Sequence, residues 1–135
     1  MTTRLEAVEA LVQHFVGVWG AEYPYTLEGE DYTPPDGPWA RFSVRHSIDH
    51  QHTIGPVGAR KFERRAICYA QIYTPTNRGT RAARTLAQRV ADGFEAISIT
   101  GSTIYTTAAT VRESEIDGRW LQMIVSIPLT YHETR

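Results

Sequence analysis

Three runs of this chain alternate apolar and polar side chains, which is the pattern of a strand with one buried face. They cover residues 39–48, 61–73 and 120–131. Arg64 is the misfit on the apolar side of the second run. Residues 103–115, rich in Thr, Val and Ile, predict a further strand. A sheet with one apolar face has to be covered, so other elements must pack against that face.

Two segments have the helical period instead, and both are amphipathic. Thr3 and Glu6 fit a capping box at the start of the first helix, which Gly17 and Gly20 bring to an end. Its apolar stripe comprises Leu5, Val8, Val12, Phe15 and Trp19, and it is flanked by Leu11 and Val16. The second helix spans about 80–97, with Ala82, Ala83, Leu86, Val90, Phe94 and Ile97 on one face. The sequence therefore predicts an α+β fold, a mainly antiparallel β-sheet with two amphipathic helices packed on it, as a single domain over residues 1–135.

The connections carry the helix and strand breakers. Residues 21–38 contain proline and glycine at a density that excludes a helix, although a short strand near 25–28 fits. Asp117-Gly118 predicts a hairpin turn, and Pro128 predicts an edge or irregular pairing in the last strand. The connection over residues 49–60 is too long for a tight turn. We interpret it as a functional arm, and a solvated hairpin loop without a partner is the alternative.

Charge is distributed unevenly, although the net charge is only −1. Residues 5–40 contain seven acidic side chains and no Lys or Arg, whereas residues 41–90 contain ten basic side chains against Asp49 and Glu63. The two segments either neutralise each other within one fold or form a two-faced subunit whose acidic side meets the basic side of an identical neighbour. Such complementarity sets register and encounter rate more than affinity.

The chain lacks the sequence signatures of several function classes. The chain has no phosphate-binding glycine loop, dinucleotide fingerprint, serine elbow or zinc-protease helix motif, and we expect no enzyme activity and no cofactor. No apolar run is long enough to cross a bilayer, and residues 1–6 do not resemble a signal peptide. The near-neutral charge predicts no direct nucleic-acid recognition. Cys68 lies on the apolar face of a strand and is interpreted as an inert core residue.

His46, His50 and His52 are the candidate metal ligands, because three imidazoles within seven residues can hold a divalent ion. His46 belongs to the strand, whereas the other two begin the arm. No second group of ligands follows at a matching spacing. We therefore favour solvated or interface histidines over a metal site, and a small metal-dependent enzyme stays the alternative from another class. A ligand-binding module is a third reading.

In its order of elements and short motifs, most of the chain resembles the phage tail terminators and related minor tail proteins, the lambda-like terminator group in particular. The segments that carry the resemblance are the helix ending at Trp19, WARFSV at 39–44, Gly55, GAR at 58–60, Arg65-Ala66, YTP at 73–75, Gly79, the helix with Ala83, Leu86-Ala87, Val90 and Phe94, and the strand at 120–128 followed by Tyr131. The glycine-arginine strand followed by proline, glycine and a helix is the most distinctive of them.

The resemblance implies a structural virion protein that forms a ring, as a hexamer, on the finished tail tube. Such a ring ends tube growth and joins the tail to the head connector, so the expected partners are copies of this chain, the tail tube protein and the head-tail connector protein. The expected location is the virion tail, after assembly in the host cytoplasm. A neck or head-completion protein is the alternative within the same class. The assembly contacts are assigned to the arm and the basic strand after it, namely His50, His52, Ile54, Arg60, Lys61 and Arg64.

Overall fold

The computed structural model describes residues 3–76, 79–99, 104–113 and 118–135, apart from the side chain of Ile48. Within these residues two helices and six strands form. In chain order they are α1 (Arg4–Trp19), β1 (Tyr25–Leu27), β2 (Trp39–Gln51), β3 (Lys61–Pro75), α2 (Arg81–Phe94), β4 (Tyr105–Thr106), β5 (Thr110–Glu113) and β6 (Trp120–Thr134). The predicted hairpin turn lies partly outside the described residues, but its Gly118 has a φ of 59°, as such a turn requires.

The six strands form one sheet in the order β1-β2-β3-β6-β4, and β5 also pairs with β6. Of the three long strands, β3 lies in the middle and is antiparallel to both β2 and β6. Only β1 runs parallel, with Tyr25 opposite Ala40 of β2, because the breaker-rich residues 28–38 provide a return too long for a hairpin. The predicted α+β fold with a mainly antiparallel sheet and two helices is confirmed.

Both helices pack on one face of this sheet, and the core lies between them. The buried strand residues alternate as predicted: Ala66, Cys68, Ala70 and Ile72 on β3, and Met123, Val125, Ile127, Leu129 and Tyr131 on β6. α2 buries Ala83, Leu86, Val90 and Phe94 against them. Burial raises the pKa of the Cys68 thiol, in keeping with its interpretation as an inert core residue.

α1 buries only part of the predicted stripe, namely Phe15 and Trp19, together with the flanking Leu11. Its buried side chains are Ala7, Leu11, Phe15 and Trp19, at a spacing of four residues. Leu5 is 68% exposed, and the flanking Val16 is 38% exposed. The Phe15 ring stacks on Phe42 of β2 with 4.5 Å between the ring centroids, and this aromatic contact fixes the rotation of the helix. The predicted cap is present, since the Thr3 hydroxyl oxygen accepts the backbone N–H of Glu6 at 3.2 Å.

α1 and α2 approach each other closely at Gly93. A Cβ atom at Gly93 would lie 2.5 Å from a methyl carbon of Val18, which is far inside normal contact. His14 of α1 also lies 2.7 Å through its Nε2 from the Gly93 carbonyl oxygen. The helix pair therefore depends on a residue without a side chain at this position.

α2 ends at Phe94, three residues before the predicted end, because the chain around β4 caps it. The Thr106 hydroxyl donates to the Phe94 carbonyl oxygen and accepts the N–H of Ile97 at 2.9 Å. Ala96 has a φ of 51°, which no continuing helix allows. A side chain from a strand therefore satisfies helix-end groups that the sequence pattern assigned to a longer helix.

The predicted strand over 103–115 is two short strands, and residues 103, 114 and 115 lie outside the described residues. Between β4 and β5 the register on β6 shifts by one residue, since Thr106 opposes Leu129 whereas Thr110 opposes Ser126. Pro128 lies at the break and offers only its carbonyl, which accepts the N–H of Thr107 at 3.0 Å. The irregular pairing predicted at Pro128 is confirmed, and the missing amide explains the interruption.

β2 also continues past its predicted end, so the connection to β3 covers residues 52–60 rather than 49–60. The register shifts between His46, opposite Ala66, and Asp49, opposite Arg64. One extra residue in β2 forms this bulge, and it turns the side chain of Asp49 to the same face as Arg64. Simple alternation would have pointed Asp49 the other way.

Candidate functional site

The arm, now defined as residues 52–60, is an ordered loop held by its own hydrogen bonds. The N–H of His52 donates to the Lys61 carbonyl oxygen at 2.6 Å, and the Arg60 Nε donates to the Gly55 carbonyl oxygen at 2.7 Å. Residues 56–59 form a turn, which the Ala59 N–H closes by donating to the Pro56 carbonyl oxygen. Gly58, the third residue of this turn, has a φ of 93°. These bonds fix the conformation of a loop that has few contacts with the core.

The tip of the arm exposes two apolar side chains. Ile54 is 99% exposed and Val57 is 83% exposed, the two largest values among the large apolar residues that the structure describes. Both belong to the same short loop, three positions apart. Ile54 is one of the predicted contact residues, whereas Val57 is not. Apolar side chains clustered at the end of a projecting loop are typical of a contact surface.

A network of alternating charges lies at the base of the arm. Arg64 donates through Nε to Glu133 of β6 at 3.1 Å, and its guanidinium lies 3.3 Å from Asp49. Asp49 also accepts Arg4, at the start of α1, at 2.8 Å. The side chains of Arg64 and Glu133 are only 5% and 7% exposed. Each buried charge thus has an opposite partner, which is the condition for keeping charges inside a fold.

The network lowers the pKa of Asp49, chiefly through its hydrogen bond from Arg4. Asp49 is therefore held as a carboxylate that ties α1 to β2 and β3. The Arg60 and Arg135 backbones add a second tie, each N–H donating to the other's carbonyl oxygen, at 3.0 and 2.7 Å. The arm consequently projects from a base to which α1, β2, β3 and β6 all contribute.

His46 is half-buried next to this network, where it contacts Tyr131. Its Nε2 lies 2.7 Å from the Tyr131 hydroxyl. Burial lowers the pKa of His46, and burial likewise raises the pKa of Tyr131 to about 12. Both shifts favour the neutral forms, so this hydrogen bond joins two uncharged groups.

The structure separates the three candidate metal ligands. His46 contacts Tyr131, His50 is exposed opposite Glu63, and the exposed His52 has its Nδ1 3.9 Å from a Glu63 carboxylate oxygen. Within the described parts of the chain, no group of three His, Cys, Asp or Glu side chains is placed to hold a metal ion.

The six predicted contact residues share one end of the sheet but differ in access. His50, His52, Ile54 and Lys61 are exposed, Arg60 is half-buried, and Arg64 is buried. Arg64 therefore acts from inside the subunit, where it pairs with Asp49 and Glu133. Glu133 was missed, although the alternation of β6, extended two residues past Tyr131, places it on the inner face.

The uncovered face of the sheet carries a second surface, a groove of about 440 Å³. Its charged lining comprises Glu28, Glu30, Arg41, Arg45 and Arg112. Arg45 and Glu28 form an ion pair at 2.7 Å. Mixed charges with no apolar enclosure are suited to a polar contact rather than to a small ligand.

A one-sided antiparallel sheet with two helices, an arm with an apolar tip and an open charged face defines a class of small α+β proteins built around contact surfaces. Comparison with known protein families narrows this class to one family. A family model described as phage tail terminator protein matches residues 5–129, and the chain belongs to that family. The resemblance stated from the sequence is thereby confirmed.

One solved structure is similar with a TM-score of 0.54 and 18% sequence identity, over 83% of this chain and 79% of its own. At that identity the likeness supports the fold alone. No curated protein matches the chain.

Membership of the family makes this a structural protein of the phage tail, located in the virion tail. The family is not an enzyme family, and it suggests interaction with other tail components. Neither described helix is both long and apolar enough to cross a membrane.

Proposed function

We propose that this protein is a tail terminator that forms a ring on the end of the tail tube, stops the growth of the tube and joins the tail to the head connector. The observation that carries the proposal is the family match over residues 5–129. We propose that residues 1–135 act in this role as one domain, because both helices pack on a single sheet. The protein works without catalysis and enters the virion tail after assembly in the host cytoplasm.

The proposed ring is a hexamer held by contacts between different surfaces of neighbouring copies. Such head-to-tail contacts close into a ring when the rotation between copies permits. The acidic segment 5–40 and the basic segment 41–90 support contacts of this kind. β1 pairs with β2 only over Ala40–Phe42, so the later residues of β2 have no neighbouring strand on that side among the described residues. A strand edge of this kind offers backbone hydrogen bonds to a partner.

The assembly contacts of the proposal are the exposed His50, His52, Ile54 and Lys61 at the arm end, together with the half-buried Arg60. Ile54 offers apolar area, Lys61 and Arg60 offer positive charge, and His50 and His52 offer polar contacts to a neighbouring copy or to the tube. Arg64 supports this surface from within, because its ion pairs fix the position of β3 next to the arm.

The experiment replaces residues 54–59 by a short Gly-Ser turn. It keeps Thr53 and Lys61, because the backbone N–H of Lys61 donates to the Thr53 hydroxyl oxygen at 2.9 Å. Because the arm contributes little to the core, the thermal melt should stay native. In a phage that lacks the gene, the shortened variant should give tails of irregular length, or tails that fail to join heads. Tail lengths are measured by electron microscopy, with the unaltered gene as the control.

Two outcomes separate the parts of the proposal. Normal infectious particles from the shortened variant would show that the arm is dispensable. Tails of regular length, joined to heads, in the phage without any copy of the gene would refute the role in tail termination itself.

A further inference from the structure

An apolar hollow lies at the end of α1, on the opposite side of the subunit from the arm. It measures about 560 Å³ and is lined by Val16, Gly20, Ala21, Tyr23, Pro24 and Tyr25. Val16 is 38% exposed and Tyr25 is 37% exposed, so apolar area that the subunit itself does not cover faces the hollow. Phe15 supports Tyr25 from below in an edge-to-face contact, with 5.8 Å between the ring centroids.

The arm of the same copy does not reach this hollow. Tyr25 lies beside Ala40 near the start of β2, whereas the arm follows Gln51 at the end of β2. Eleven residues of strand at a rise of about 3.3 Å separate the two sites by roughly 35 Å. The three residues from Gln51 to Ile54 span at most about 10 Å even when extended. Whatever fills the hollow therefore comes from another molecule or another segment.

We propose that the arm tip of one copy, Ile54 with Val57, seats in the α1-end hollow of the next copy. This inference rests on the proposed ring and names the contact that closes it. The arm tip and the hollow lie at opposite ends of one subunit, so the contact between two copies is head-to-tail, the type that generates rings. Both surfaces are apolar and both are uncovered, so each removes the other from water.

The surrounding charges agree with this pairing. Glu22 lies within the segment that forms the hollow; its side chain forms an ion pair with Arg89 of α2 at 3.4 Å and is still 59% exposed. Lys61, at the base of the arm, is exposed. The hollow belongs to the segment that contains no Lys or Arg, and the arm to the segment rich in them. Opposite charge around an apolar contact selects the partner and the register.

Crosslinking tests the contact directly. One form of the chain carries Ile54→Cys and a second, size-tagged form carries Ala21→Cys. The native Cys68 is buried and does not compete for the reagent. A short bismaleimide should link the two forms to each other in tails and in concentrated free protein that forms multimers, without 54–54 or 21–21 products. Gln88→Cys, exposed on α2, replaces Ala21→Cys as the control and should give no link to position 54.

Substitution tests the energetics. Ile54→Asp together with Val57→Asp should weaken association of copies at least tenfold in sedimentation experiments, with an unchanged melt because both side chains are exposed. Val16→Glu should act to the same extent, and the combined variant should lose little more, since both changes remove one contact. Leu5→Asp, an equally apolar exposed site away from the hollow, is the matched control and should assemble normally.

The outcomes distinguish this inference from the proposed function. Tails that carry the protein but give no 54–21 link, or a link from position 54 to another tail protein, would overturn the contact and leave the ring intact. Additive losses in the combined variant would also overturn it. A chain that is absent from tails and monomeric at every concentration would overturn both.

Discussion

The charge network at the base of the arm makes a quantitative prediction. Its charges alternate in sign, since Arg4 pairs with Asp49, Asp49 with Arg64, and Arg64 with Glu133, which the exposed Arg135 also approaches at 3.7 Å. Glu133→Gln keeps the shape of the side chain but removes the negative charge that Arg64 and Arg135 share. The guanidinium of Arg64, only 5% exposed, then shares a single carboxylate with Arg4. Removing one partner of a buried ion pair costs about 3–5 kcal/mol, and we expect a loss of that size in the free energy of unfolding.

A double variant separates the effect of charge from the effect of packing. Arg64→Met with Glu133→Leu removes both charges and leaves Arg4 paired with Asp49. It should recover most of the loss and come within about 1–2 kcal/mol of the parent, because well-packed apolar residues replace buried ion pairs at little cost. Glu113→Gln is the matched surface control. Its partner Arg84 and Glu113 itself are both 57% exposed, and the change should cost under about 1 kcal/mol.

Urea titration followed by tryptophan fluorescence measures these differences, because urea, unlike guanidinium chloride, adds no screening ions. A loss below about 1 kcal/mol for Glu133→Gln would show that water reaches the pair and compensates for the missing charge. A double variant no more stable than Glu133→Gln would show that side-chain packing, not charge, determines the cost. Either result would refute the reasoning from buried charge.

Three further predictions concern the helices and the interior histidine. Gly93→Ala should destabilise the fold by about 1–3 kcal/mol in urea titration, since the new methyl meets Val18. Adding Val18→Ala to that variant should restore the lost stability. Gly17→Ala, with open space around its Cβ position, should stabilise the fold by about 0.4–1 kcal/mol. His46 has a pKa that burial lowers in the folded state, so stability should fall as the pH drops below about 6.5, the unfolded value; His46→Gln should flatten that dependence in melts between pH 5 and pH 8, and an unchanged slope would contradict the assignment. Leu86→Ala, at a buried site, should cost about 2–5 kcal/mol, and an unchanged thermal midpoint would show that α2 presents another face.

The sequence predicts this sheet well because alternation is a local property. In β3 and β6 every second side chain faces the core, and the inner and outer positions follow directly from the pattern. Even Arg64, the residue that broke the apolar pattern, lies on the face that alternation assigned to it. Its ion partners were beyond prediction, because they come from strands and a helix distant in the chain.

The errors share one cause, which is contact between segments far apart in sequence. The rotation of α1 depends on Phe15 stacking on Phe42, and the end of α2 depends on the hydroxyl of Thr106. Helical periodicity does not contain either contact. At the candidate site, Ile54 and Lys61 were predicted from the loop and its charge and stay predictions, whereas the α1-end hollow only exists once α1 and β1 are packed together.

The bulge in β2 between His46 and Asp49 determines how the chain tolerates insertions and deletions. Strand side chains alternate with a period of two, so one extra residue reverses the orientation of every residue that follows. Deleting one residue at 47–48 would remove the bulge and leave Asp49 opposite Arg64. Inserting one more residue there would instead turn Asp49 outward and leave Arg4 without its carboxylate partner, although no charged residue had been changed. Single-residue insertions should therefore be confined to the loop beyond Gln51, where orientation relative to the sheet no longer matters. A related chain with one additional residue at 47–48 would be expected to carry a compensating change in the network of Asp49 and Arg64.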